Sequence, residues 1–528
     1  MITPSLKHLV LDASAVSVLC AQGHQSEVSD VLNFAQGKGI RVWFYAGEYA
    51  DLVRWSNVEK RYGSDSEGTS ALSPLRELEQ VQPGGQWLSA LAGDLQDNDD
   101  PDPIACALIR AAARLADETW IVTADQSRAQ RGAPFVAVEN LAMPESGRQV
   151  GFIDLGAQQD RIRAQIEEGI HRVLHHGRYV MGEEISRLEA QLAEVSGAAH
   201  CVCVSSGTDA LLAALMAIEI KPGDEVITSP FTFFGTGEAI ALLGGVPIYV
   251  DIDPETFNLD PSGIEAAIGS RTRAIMPVSL YGQCAEMDAI KTIARRHALP
   301  VIEDAAQSFG ASFHGRRSCA LSDLACTSFF PAKPLGAYGD GGACFTQDAS
   351  LADRLRQIRD HGQESRYHHT VLGMNGRMDT IQAAILIAKL KIFPDEIVAR
   401  QRVADRYAEL LADLADEGSI TLPAVRSYNT STWAQYTIRV TDREEIRHRL
   451  GEQGIPSAVH YPVPLYDQPA LAQSGQNCPE SDRAAREVLS LPMHPYLDDV
   501  AQIKVAQALR GALSSAADKV SQRDVAGA

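Results

Sequence analysis

Cys326-Thr327-Ser328-Phe329-Phe330-Pro331-Ala332-Lys333-Pro334-Leu335-Gly336, closed by the turn Gly339-Asp340-Gly341-Gly342, sets one lysine in a stretch with no other charge between Cys326 and Asp340. A lysine on a solvated helix keeps charged company, so Lys333 reads as an amine with a task. Upstream, Val301-Ile302-Glu303-Asp304-Ala305-Ala306-Gln307 ends an apolar strand on a carboxylate. Burying Asp304 there is costly unless a cation meets it, and a protonated pyridine is such a cation. Lys333 and Asp304 together are the two polar groups that a pyridoxal phosphate site requires. The amine forms a Schiff base with the cofactor aldehyde, and the carboxylate keeps the ring nitrogen protonated so that the ring can accept carbanion electrons.

Around this pair the chain alternates strands and helices. Strands are expected at His200–Val204, Glu225–Thr228, Pro247–Val250, Ala274–Val278 and Pro300–Ile302, and helices at Asp209–Ala217 and Ala285–Ala298. An opening amphipathic helix carries Ile162, Ile166, Ile170 and Val173. The pattern predicts an α/β fold, a mostly parallel sheet covered by helices on both faces. Ligands of such sheets collect at the carboxyl ends of the strands, where the remaining candidates fall. Gly207 and Thr208, in Val204-Ser205-Ser206-Gly207-Thr208-Asp209-Ala210, open a helix whose free N–H groups suit a phosphate. The same motif is also an ordinary helix cap. Ser328 is a second phosphate candidate, Phe233 offers an aromatic face to the pyridine ring, and Gln307 can reach the cofactor's phenolate oxygen.

The 528 residues carry a net charge of −21, with 45% hydrophobic and 22% charged residues. That length calls for more than one domain, and that charge disfavours a general grip on nucleic acid or anionic lipid. No apolar run is long enough to span a membrane and the N-terminus is unlike a signal peptide, so a cytoplasmic protein is expected. Nine cysteines form no CxxC pair or His/Cys cluster, and read as buried thiols. Residues 1–145 form a first α/β part, ending where Pro144 and Gly147 break the apolar pattern. The larger part divides into a cofactor-binding domain, 151–395, and an α+β subdomain, 396–512, with long polar helices from Glu396 to Leu414 and a strand over Ala434–Val440. Residues 513–528 read as a polar tail.

Residues 151 to about 512 resemble the DegT/DnrJ/StrS sugar aminotransferases. Ser206-Gly207-Thr208-Asp209-Ala210, Phe231-Thr232-Phe233, Glu303-Asp304-Ala305-Ala306-Gln307, Ser328 to Lys333 and Gly339-Asp340-Gly341-Gly342 occur in family order. The resemblance implies a pyridoxal phosphate transferase of fold type I with a seven-stranded type of sheet. It also implies that Lys333 is the Schiff-base lysine and proton shuttle, with Asp304 as the pyridine partner and Gln307 as the phenolate contact. Gly207, Thr208 and Ser328 would then hold the phosphate, and Phe233 would stack on the ring. Relatives that act as dehydratases carry histidine in place of the lysine, so Lys333 implies transamination. Pro277–Ala285, His361-Gly362-Gln363, Arg366–His369, Asn375–Asp379 and Ala458–Pro462 are similar to the family's 3-aminotransferases of UDP-linked 3-keto-2-acetamido uronic acids in O-antigen synthesis. That likeness implies glutamate as amino donor, a keto nucleotide sugar as acceptor, and a homodimer in which Asn375 reaches the neighbour's cofactor phosphate. Arg377, His460 and Tyr461 would meet the uronate carboxylate. Another nucleotide-linked keto sugar remains an alternative. Two positions depart from the family pattern: Gly376, where serine is common, and Phe233, where tyrosine is frequent.

Residues 1 to about 140 resemble a PIN-like nuclease domain. The resemblance implies Mg²⁺ or Mn²⁺ held by Asp12, Glu48, Asp102 and Asp125, with Asp99 and Asp100 competing for the third place. Twelve Lys+Arg against 20 Asp+Glu in residues 1–150 oppose a grip on nucleic acid, and solvated loop carboxylates explain the same residues. The rival to the transaminase is therefore a metal-dependent RNase or nucleic-acid regulator whose larger part only dimerises.

Overall fold

The computed structural model describes residues 8–12, 41–45, 119–123, 135–137 and 150–526, with side chains from 150 to 514. The chain divides into two compact units, Met1–Arg148 and Gln149–Ala528. In the first, strands β1 (His8–Asp12), β2 (Arg41–Tyr45), β3 (Thr119–Thr123) and β4 (Phe135–Ala137) form a parallel sheet in the order β2-β1-β3-β4. Parallel sheets of this kind belong to many α/β folds, so the resemblance to a PIN-like domain gains nothing from it. The Ala-rich stretch Pro103–Leu115, whose composition and apolar pattern suit a helix, lies outside the described residues.

The second unit opens with α1 (Leu155–His176) and α2 (Glu183–Ser196), then alternates strand and helix. Its strands are β5 (His200–Val204), β6 (Glu225–Thr228), β7 (Val246–Tyr249), β8 (Thr272–Ile275), β9 (Ile302–Asp304), β10 (Leu324–Ser328) and β11 (Gly342–Thr346). A three-stranded segment, β7-β6-β8, and a four-stranded segment, β9-β10-β11-β5, meet where Val278 pairs in parallel with Asp304. The Asp304 N–H donates to Pro277 O at 2.9 Å across this seam. Only β11 runs antiparallel to its neighbours. β8 stops short of the expected Val278, since Pro277 has no N–H to give a ladder.

Side-chain alternation explains why helices cover both faces. Along β5, Cys201 and Cys203 enter one core with Leu188 and Leu192 of α2, while Val202 and Val204 enter another with Ala210, Leu211 and Ala214 of α3 (Gly207–Ala217). A strand buried on both sides must be apolar at every position, and His200-Cys201-Val202-Cys203-Val204 is nearly so. Each of these leucines and valines, fully buried, stabilises the fold by about 1.5–3 kcal/mol. Helix α4 (Phe234–Leu242) follows β6, and α5 (Met287–Arg296) lies between β8 and β9. After α6 (Ala349–Arg359), the apolar helix α7 (Thr380–Leu390) packs on α1 and α2.

The C-terminal subdomain begins with α8 (Phe393–Leu410), where Pro394 sits in the first turn, as its missing N–H allows. The helical run expected from Glu396 to Leu414 is divided at Leu411, whose backbone leaves helical geometry, into α8 and a short helix over Ala412–Asp416. Strands β12 (Ile420–Thr421), β13 (Tyr436–Val440) and β14 (Val488–Leu491) form an antiparallel sheet that packs with α8, α9 (Arg443–Glu452) and α10 (Asp499–Ala526). The stretch expected as a polar tail is entered by α10, which runs to Ala526. No described helix is long and apolar enough to cross a membrane.

All seven described cysteines are buried free thiols, and burial pushes the thiols of Cys201, Cys319 and Cys326 well up in pKa. Thiols kept neutral inside a core are poor nucleophiles. Peptide mapping after treatment with an alkylating reagent should find these seven unmodified in the native protein and modified once it is unfolded.

Candidate active site

Asp304 ends β9 and is 4% exposed. Its Oδ2 accepts from the Thr236 hydroxyl at 2.8 Å and its Oδ1 from the Ala306 N–H at 3.2 Å. Burial pushes the carboxyl up in pKa, while these two donors and the charge of Lys333 oppose the shift. Lys333 lies in the turn after β10, its N–H bonded to Phe330 O at 2.8 Å. Burial lowers the pKa of its amine, and Asp304 pulls the other way. The two groups feel each other's charge, yet among the described residues Lys333 makes no ion pair. An acid and an amine near enough to feel each other's charge but not paired are the two polar groups that a pyridoxal phosphate site requires.

The neighbouring strand residue goes the opposite way, as side-chain alternation requires. Glu303 is buried among the Ser279 and Ser318 hydroxyls, both at 2.9 Å, and the Cys319 N–H at 3.0 Å. Each of its oxygens therefore has a donor, and it is a structural carboxylate beneath Asp304.

The phosphate candidates come together. Ser206 caps α3 by accepting from the Asp209 N–H at 3.0 Å, which leaves Gly207 and Thr208 at the open end of the helix. A Cβ on Gly207 would sit 2.6 Å from the Ser328 Cβ, and one on Gly342 would sit 2.2 Å from Ser206 O. Both glycines are required by close backbone approach, and that approach sets Ser328 beside the helix start. The cradle suits an anion: amide donors, two hydroxyls and the positive end of a helix.

Phe233, 55% exposed, precedes α4 with its ring centroid 6.0 Å from that of Tyr461. An aromatic ring left this open, two residues from buried Phe231, has a face available for stacking. Gln307 is held at both ends: its Oε1 accepts from the Tyr281 N–H at 2.7 Å, and its Nε2 donates to the Tyr461 hydroxyl at 3.1 Å. The second Nε2 hydrogen remains for another acceptor. Tyr461 has its pKa raised by burial first and by Asp304 second. His460 bonds the Ser490 hydroxyl through Nδ1 at 2.9 Å. Its pKa is lowered to about 4 by burial and then by the charge of Lys333, so the imidazole is neutral at neutral pH. The His460 carbonyl also accepts from the Tyr281 hydroxyl.

Lys333, Asp304, Gln307, Phe233, His460 and Tyr461 thus share one space. Asn375 and Arg377 are placed less directly. Gly376 O accepts from the Ser205 N–H at 2.9 Å, so Asn375 lies next to a residue bonded to the strand end that carries the phosphate cradle. Arg377 is paired with Asp360, which occupies one arm of its guanidinium. Thr236 and its partner Thr232, whose hydroxyls are 3.1 Å apart, were not expected. Threonines four residues apart straddling a helix start after Phe231 were the available signal. In the first unit, Asp12 ends β1, whereas Glu48, Asp102 and Asp125 lie outside the described residues. Among the described residues no group of three or more His, Cys, Asp or Glu could hold a metal.

Removing the Thr236 hydroxyl takes from a buried carboxylate a bond worth about 1.5–3 kcal/mol. Thr236→Val should therefore lower kcat by about 10- to 100-fold and weaken cofactor binding, whereas Thr236→Ser should restore both. Cofactor titration and steady-state kinetics on the two variants check this.

Residues 160–510 match the model of the DegT/DnrJ/EryC1/StrS aminotransferase family. The UDP-2-acetamido-2-deoxy-3-oxo-D-glucuronate aminotransferase of Pseudomonas aeruginosa is 55% identical over 67% of this chain and 98% of its own length. The UDP-N-acetyl-3-dehydro-alpha-D-glucosamine 3-aminotransferase of Acidithiobacillus ferrooxidans is 41% identical over 71% of this chain and 99% of its own. A solved structure of NtdA from Bacillus subtilis with bound cofactor PMP is 31% identical, covers 74% of this chain and 95% of its own, and superposes with a TM-score of 0.65. A larger part that only dimerises is overturned by the family match over residues 160–510, which makes it an aminotransferase.

Proposed function

The chain belongs to the DegT/DnrJ/EryC1/StrS aminotransferase family, and on that premise we propose that it moves an amino group from glutamate to C3 of a UDP-linked 3-keto-2-acetamido uronic acid. The product would feed surface-polysaccharide synthesis of the O-antigen type, from the cytoplasm. The observation that carries the reading is Asp304, buried at the end of β9 with donors from Thr236 and Ala306 and within the field of the Lys333 amine without pairing to it. Likeness to the Pseudomonas aeruginosa enzyme supports the substrate.

Pyridoxal phosphate, when bound, supplies a carbonyl that exchanges amino groups and a ring that accepts the electrons left by proton removal. Lys333, its amine favoured in the neutral form by burial, attaches the group and afterwards carries protons at Nζ. Asp304, whose charged form Thr236 and the Ala306 N–H favour against the upward pull of burial, would hold the ring nitrogen protonated. Gly207, Thr208 and Ser328 would hold the phosphate, Phe233 would offer its face to the ring, and Gln307 would give its remaining hydrogen to the phenolate oxygen. Asn375 reaches the phosphate of a neighbouring subunit, so the working unit is a homodimer.

Arg377, His460 and Tyr461 meet the uronate carboxylate. Their shares differ: His460 is neutral and gives a hydrogen bond, Tyr461 holds its proton and gives another, and Arg377 alone brings a fixed positive charge. Its pairing with Asp360 uses one arm and leaves the other donors of the fork for a second carboxylate. A neutral keto nucleotide sugar is the second reading, favoured by the Acidithiobacillus ferrooxidans relative.

Two measurements test these assignments. Borohydride reduction of the cofactor-loaded protein should trap the cofactor on Lys333, and Lys333→Ala should lose both the adduct and the visible absorption band; an adduct elsewhere removes the reading. Arg377→Ala should lower kcat/KM on the uronic acid substrate by about 10- to 1,000-fold, the worth of a charge-assisted pair, while sparing the matching neutral sugar. Equal losses on both would refute the uronate assignment.

A further inference from the structure

Lys389 is fully buried in the last turn of α7, and among the described residues it makes no ion pair. Burial lowers the pKa of its amine to about 8, the charge of Glu396 opposing the shift without an ion pair, so a lysine at this place needs a reason. Its Nζ donates to Gly336 O at 2.7 Å and stands 4.2 Å from the centre of the Tyr338 ring. Gly336 and Tyr338 belong to the segment that carries Lys333. Two turns earlier on the same helix, Gln382 grips that segment again: its Oε1 accepts from the Tyr338 N–H at 2.9 Å, and its Nε2 donates to Tyr338 O at 3.4 Å. Residues seven apart lie on one face of a helix. One face of α7 therefore holds Gly336 and Tyr338 from two points.

The segment needs such support. It is tied at its base, where the Phe329 N–H bonds Gly341 O at 2.7 Å and the Ala337 N–H bonds Phe329 O at 2.8 Å. Between these ties, Phe330 to Gly336 forms neither helix nor strand. Gly336 turns so tightly that a Cβ there would lie 2.4 Å from Pro331 O. Its carbonyl has Lys389 as donor, and nearby Tyr338 packs against the apolar cluster of α1 and α7. Losing that donor would leave a buried acceptor unpaired and free the turn three residues from Lys333.

We propose that Lys389 and Gln382 are positioning residues, a two-point splint on α7 that sets the Lys333 turn before any cofactor arrives. The inference rests on the assignment of Lys333 made above. A side chain that must reach a cofactor carbonyl tolerates little misplacement, and a turn already held in place binds without an ordering cost. Lys389 itself touches neither cofactor nor substrate.

The test compares cofactor-free proteins by hydrogen exchange read on peptides across 329–341, and then by pyridoxal phosphate titration. Lys389→Met should exchange the Lys333 and Ala337 amides about tenfold faster, and bind the cofactor about tenfold more weakly, the worth of one hydrogen bond. Amides of α10 should stay at their original rates. Lys389→Gln, which keeps a donor, should recover part of both effects. Should Lys389→Met fail to fold, Gln382→Leu leaves the ammonium in place and releases only the other anchor, with the same local signature expected. Unchanged exchange over 329–341 together with an unchanged cofactor Kd in the folded variants overturns the splint. If the wild type traps no cofactor on Lys333, the functional reading falls instead, while the exchange data still decide whether α7 holds the turn.

Discussion

A carboxylate buried at the end of a central strand is the constraint on which the site depends. Asp304 is nearly inaccessible, and removal from water favours its neutral form. As a neutral acid it could not hold a ring nitrogen protonated. The Thr236 hydroxyl and the Ala306 N–H donate to it, Lys333 adds a positive field, and together they oppose the desolvation. Lys333 faces the converse demand, since an amine must be free of its proton to attack. Burial serves that need, and the same low-dielectric cavity pushes both groups toward neutrality while their mutual field restrains the shift.

The sheet allows this by sorting consecutive residues to opposite faces. Glu303 and Asp304 are both buried carboxylates, one residue apart, with different fates. Glu303 is closed off by two serines and the Cys319 N–H. Asp304 keeps a lone pair for the cavity. Neighbouring strand ends deliver the rest: β5 leads into the Ser206–Thr208 helix start, and β10 into Ser328 and the Lys333 turn. The antiparallel insertion of β11 brings Gly342 against Ser206, a contact that any side chain would block.

What surrounds the cavity is held from behind. Gln307 links Tyr281 to Tyr461, and Tyr281 reaches the His460 carbonyl, so the C-terminal subdomain's contribution is fastened to the β8–β9 region by bonds on both sides of one glutamine. Behind the lysine turn, α7 presents an ammonium where an apolar side chain would pack with less cost. The N-terminal end of the same helix follows Asn375 and Arg377, so a single element bears on the lysine turn and on the proposed carboxylate site.

Much of this was legible in the chain itself. Lys333 stood out because its neighbours carry no charge, Asp304 because an apolar strand ended on it, and Gly207 because small residues sat between a strand and a helix. The alternation of β5, apolar at nearly every position, announced a sheet covered on both faces. Local pattern suffices there, because strand burial and helix starts are written in adjacent residues. Thr236 was not legible as the partner of Asp304, since the two are 68 positions apart and meet only when the start of α4 is brought to the end of β9. The engagement of Arg377 with Asp360 and the burial of Lys389 against Gly336 are of the same kind. Residue type and spacing determined which groups the protein possesses; the fold alone decided which of them touch, because hydrogen bonds and desolvation act over a few ångströms between residues that the chain keeps far apart.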